Sequence, residues 1–157
     1  MIGWLLDTNV ISTIINHNGA PTVKAWAATQ NESGFFLSIL ALAEYDKGIF
    51  NLPDDHPNRP WFIAAREGLA ARFTGRIASV GDAVVRRWGV ISESTKRLTG
   101  RSPPVIDALL AAIELEHDLY LVTRNVGAVG TSGAQIFDPW MYDTANFPLS
   151  PMPRSRH

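Results

Sequence analysis

The chain has no cysteine, which excludes a disulfide framework and any thiolate-ligated zinc site. It has no apolar run near the roughly 20 residues needed to cross a bilayer. Its apolar start, Met1 to Leu6, lacks a basic lead and meets Asp7 at once, so it does not read as a signal peptide. A cytoplasmic protein without a membrane partner is the expectation. The four histidines fall at no metal-ligand spacing, and Ser38 has no neighbouring histidine and acid motif for a nucleophilic triad. Gly127, Gly130 and Gly133 follow an apolar run but are not spaced as a phosphate-binding fingerprint. A formal net charge of −1 argues against nucleic-acid binding through bulk charge alone.

What is present is one domain's worth of chain: 157 residues, 46% hydrophobic, enough to bury a core and short for two domains. Short apolar runs alternate with helical patterns. Strands are expected near Ile2 to Leu6, Gly34 to Ser38, Arg76 to Val80, Leu119 to Thr123 and Gln135 to Phe137. Between them, helices are expected at Val10 to Ile15, from Pro21 through Trp26, after Ser38, from Trp61, after a cap at Asp82, and from Ser102–Pro103 to His117. Strands separated by helices imply crossovers, hence an α/β fold with a mainly parallel sheet. The segment from Leu52 to Pro60 is turn chemistry, and the stripe Val84, Trp88, Ile91, Thr95 and Leu98 should face the core. Residues 1–141 form the expected domain, and 142–157 a proline-bearing tail, poorly ordered or draped on the surface.

Arginine and lysine collect between Arg59 and Arg101 against only three acids. Such a basic middle can face phosphates, although ordinary solvated helix faces explain it slightly better.

Three acids stand alone in apolar settings. Asp7 ends the first strand, Glu44 interrupts Ser38 to Tyr45, and Asp107 is the only charge from Pro103 to Ile113. Each has a structural explanation by itself: a helix cap, a snorkelling side chain, a first-turn acid. Together they suggest more, because carboxylates gathered at strand ends are stabilised by a hard cation. Asn125, just past the fourth strand, repeats the placement of Asp7 with a neutral oxygen. A turn residue is an equally good reading of it.

Leu5 to Ser12, Leu37 to Glu44 with Gly48, Ile106 to Ala112, and Val122 to Asn125 followed by Asp138-Pro139-Trp140 resemble, in order and separation, a PIN domain. More narrowly they resemble the VapC- and FitB-type toxins of bacterial type II toxin–antitoxin pairs. The likeness spans residues 1 to about 141. It implies a three-layer α/β/α fold and an endoribonuclease that hydrolyses RNA phosphodiester bonds with a metal-activated water. Mg²⁺ or Mn²⁺ would be held by Asp7, Glu44, Asp107 and Asn125, with Glu44 as a ligand or as a general base through water. Thr8 or Asn9 would then orient a carboxylate or a metal-bound water, and Arg124, by its charge and its place beside the site rather than by the resemblance, is expected to position RNA phosphate. The resemblance further implies a homodimer, a small antitoxin that inserts a segment into the acidic groove where its basic side chains satisfy the same carboxylates as the metal, and contact with DNA only through that antitoxin.

Two positions depart from the family pattern: Asn125 stands where an acid is common, and Ala128 where many relatives carry another. A less negative pocket holds a second cation more weakly, favouring one metal. A catalytically weak or inactive PIN-like binding module is the alternative reading.

Overall fold

The computed structural model describes residues 1–125, 132–141 and 143–150. Five parallel strands form the central sheet in the order β3-β2-β1-β4-β5: β1 Gly3–Leu6, β2 Phe35–Ser38, β3 Ile77–Ala78, β4 Leu119–Val122 and β5 Ile136–Phe137. Around it lie α1 Thr8–Ile15, α2 Pro21–Thr29, α3 Ile39–Asn51, α4 Arg59–Arg72, α5 Asp82–Thr99 and α6 Val105–His117. None of the helices is long and apolar enough to cross a membrane.

The period-two alternation of the strands explains the layers. Trp4, Leu6, Tyr120 and Val122 point to one face, where α1 to α4 supply Ile11, Trp26, Leu42 and Leu69. Leu5, Leu119 and Leu121 point to the other, against Val84 and Ile91 of α5 and the inner side of α6. β1 is covered on both faces, and all four of its residues are buried. Gly3 is required in it, since a Cβ there would collide with the carbonyl oxygen of Gly34.

Several boundaries differ from the sequence reading. The turn-rich stretch does not reach Pro60, because α4 begins at Arg59 with proline in its first turn, a position that suits proline's fixed φ. Asp82 is the first residue of α5 rather than its cap; that position belongs to Gly81. Leu98 lies off the buried stripe, 73% exposed in the last turn of α5. The helix with Asp107 starts at Val105, capped by Pro104. Of the tail, residues 143–150 run back over the sheet. Phe147 packs on Tyr120 and Phe137, the Tyr120 hydroxyl donates to Pro148 O (2.7 Å), and Ser150 N–H donates to Met1 O (2.9 Å). Residues 151–157, and Gly127, Ala128 and Gly130, lie outside the described residues.

Candidate active site

The strand order reverses between β1 and β4, and in an open parallel sheet the crevice at the carboxyl ends of such strands is where ligands bind. Asp7 stands there. Its backbone N–H continues the ladder to Val122 O (3.0 Å), and its side chain caps α1 by accepting Thr8 N–H at Oδ1 (2.7 Å). The capping role expected of a lone aspartate is therefore real. It does not exhaust the carboxylate: Oδ2 accepts the Thr123 hydroxyl (2.7 Å) and, at 3.4 Å, the Asn9 amide.

Thr123 is the residue that sequence reasoning missed. Its side chain is buried, and its Oγ1 also accepts Asn125 N–H (3.1 Å) and the Asn9 amide (3.4 Å). Asn125 thus joins the site through its backbone, while the residue as a whole is exposed. Asn9 ties β1 to β4, and its Oδ1 is buried with no hydrogen-bond partner among the described residues.

Asp107 lies half-buried in the first turn of α6. Burial, and then the negative charge of Asp7, push its carboxyl above the ordinary carboxylate range. The two acids therefore feel each other, and among the described residues neither has an ion-pair partner. Glu44 is half-buried rather than deep in the core, so it escapes the full cost of a lone buried charge. It lines a hollow of about 160 Å³ with Thr8, Ser12, Tyr45, Gly48 and Phe62. Burial raises the Tyr45 phenol, which lies 3.2 Å from the Ser12 hydroxyl. Among the described residues no three Asp, Glu or His side chains are gathered closely enough to hold a metal ion. The arrangement is an Asp7–Asp107 pair with Glu44 to one side, linked through Thr8.

The donor chemistry suits a hard divalent cation: carboxylate oxygens without a countercharge, and an orphaned amide oxygen beside them.

The basic middle is largely spent on structure. Arg59, Arg66, Arg72, Arg86, Arg87 and Arg97 each pair with an acid, and Arg76 donates to the carbonyls of Glu32, Phe35 and Arg72. Away from the acids, α1, α2 and α4 enclose an apolar cavity of about 370 Å³ lined by Ile11, Ile14, Ala28, Leu69 and Phe73. It runs into a second trough beside Trp61 and Ala64.

The PIN domain model matches residues 4–128. The chain belongs to the PIN-domain family. Toxin FitB of Neisseria gonorrhoeae is 26% identical over 136 residues, covering 87% of this chain and 97% of that protein. The VapC ribonuclease Y4jK of Sinorhizobium fredii is 26% identical over 137 residues, covering 87% and 96%. Among solved structures, FitAB bound to an IR36 DNA fragment superposes with a TM-score of 0.78 at 26% identity, over 87% of this chain and 95% of that chain.

Proposed function

We propose that the protein is a divalent-metal-dependent endoribonuclease toxin of a toxin–antitoxin pair. The observation that carries this reading is the Asp7 carboxylate, fixed at the sheet's switch point by Thr8 N–H, the Thr123 hydroxyl and the Asn9 amide, without a described cationic partner. Similarity to a VapC ribonuclease and to the FitAB assembly supports it.

Asp7 and Asp107 would hold Mg²⁺ or Mn²⁺, with Glu44 and Asn125 completing the set. A cation bound there supplies positive charge that offsets charge building on the phosphate oxygens and lowers the pKa of water. Thr123, Asn9 and the Thr8 N–H fix the Asp7 carboxylate, so it need not reorganise when phosphate arrives. Glu44 would take a proton from the attacking water. The chain would act in the cytoplasm as a homodimer. A cognate antitoxin would cover the apolar trough between α1 and α4 and reach DNA on the toxin's behalf.

Purified protein should cleave single-stranded RNA with Mg²⁺ or Mn²⁺ and lose that activity in chelator. Asp7→Asn and Asp107→Asn should each reduce cleavage at least about 100-fold. Added Mn²⁺ should raise the thermal midpoint of wild type and not of Asp107→Asn. Cleavage that survives chelator or both substitutions overturns the metal mechanism. The exposed Asn125 and the absence of a gathered triad among the described residues favour a second reading, a PIN-like binding module. A folded, metal-supplied wild type that cleaves nothing would select it.

A further inference from the structure

Arg124 differs from the arginines around it. Those of α4 and α5 engage acids, whereas Arg124 has no described ion pair and is exposed. It is not loose. Its guanidinium carbon lies 4.9 Å from the centroid of the Trp140 ring, within the distance at which an indole face attracts a cation. The indole is itself anchored: Trp140 is half-buried against the core on the α1–α4 side, its backbone N–H donates to Asp138 Oδ1 (2.9 Å), and Met141 N–H donates to Asp138 O (3.1 Å).

Position adds to this. Arg124 directly follows Thr123, whose hydroxyl bonds Asp7, and directly precedes Asn125, whose N–H bonds Thr123. Trp140 follows β5, the strand beyond β4. The pair therefore lies at the carboxyl end of the sheet, displaced from Asp7 across β4 and towards β5. Two strand spacings are about 10 Å, a span that a nucleotide next to the scissile one can bridge. A guanidinium held over an indole face is attracted by the ring without spending its N–H donors, which remain for an anion.

We propose that Arg124, pre-oriented by Trp140, is a clamp for an RNA backbone phosphate flanking the scissile bond. The inference rests on the ribonuclease reading and adds a positioning pair to it: Arg124 touches substrate, and Trp140 acts through Arg124. The ligand is a phosphate, so the clamp strengthens binding without selecting a base.

The test measures binding of a short single-stranded RNA to the full chain in chelator, as a function of salt. Arg124→Gln should weaken binding about three- to tenfold and lower the slope of log affinity against log salt by about 0.7, the share of one phosphate contact. Trp140→Leu should weaken binding while keeping the slope, because the charge remains, and Trp140→Phe should restore most of the loss. A general folding defect would move thermal midpoints and leave no such split. If wild type binds and cleaves RNA while Arg124→Gln and Trp140→Leu bind like wild type with the same slope, the clamp is wrong and the ribonuclease stands. If only Arg124→Gln has an effect, Trp140 has no positioning role and the proposal fails. If folded wild type neither binds nor cleaves RNA, the clamp and the ribonuclease reading fall together.

Discussion

Replacing Thr123 by Val keeps the size and branching of the side chain and removes only the hydroxyl that bonds Asp7 and receives Asn125 N–H. We expect Thr123→Val to cost about 1–2 kcal/mol of stability, measured by urea unfolding, and about 10- to 100-fold in Mn²⁺ affinity. Thr123→Ser should restore both. Glu114 of α6 poses a different problem. Its side chain is fully buried; Oε1 accepts Gln135 N–H (3.2 Å) and Oε2 has no partner among the described residues. Burial raises its carboxyl from 4.5 to about 7, with Asp118 adding to the rise and the Gln135 N–H, Arg87 and the N-terminus opposing it. The folded chain therefore holds this proton more tightly than the unfolded chain does. The stability Glu114 contributes is complete below about pH 4.5 and is lost as pH rises through about 7, by up to about 3 kcal/mol. Glu114→Gln, neutral throughout and still able to accept from Gln135, should match wild type near about pH 5 and exceed it near about pH 8.5. Parallel unfolding midpoints across that range would refute the assignment. Neither residue stood out in the sequence. Thr123 reads as the polar end of an apolar strand, and Glu114 as a surface acid late in a helix; both owe their roles to neighbours distant in the chain. Asp7, Glu44 and Asp107 were legible because each breaks an apolar run, a signal that needs no tertiary knowledge.

Gly3→Ala tests how tightly the first two strands approach. With Gly34 O in the way of a Cβ, β1 and β2 must part, and calorimetry should show a loss of about 1–3 kcal/mol. The alternation of short apolar runs with helical patterns made every strand and helix visible beforehand, and crossover connections made the parallel sheet the natural outcome. What escaped were terminal positions, where local propensity and tertiary contact compete. Pro60 reads as turn chemistry until a helix places it in its first turn, and Leu98 fits the apolar stripe of α5 by spacing but stands exposed in the helix's last turn. Asn125 stayed undecided because what it gives Thr123 is its backbone N–H, which residue type does not encode.

The apolar trough lined by Ala64 includes none of the three site acids, so on the proposed toxin reading antitoxin docking there can be tested apart from RNA cleavage. Ala64 lines the trough and is exposed, so a charge there need not disturb the core. Ala64→Glu should weaken association with a cognate antitoxin at least about tenfold in a pull-down or calorimetric titration, while RNA cleavage by the free chain persists. The parallel sheet also fixes where Met1 lies. β1 runs toward Asp7, so Met1 is at the opposite rim, and the returning segment brings Ser150 into hydrogen-bond contact with it. Positions 1 and 150 are thus neighbours on the side of the domain remote from Asp7, and a covalent link between them would tie that rim while leaving the crevice and its strand order unchanged.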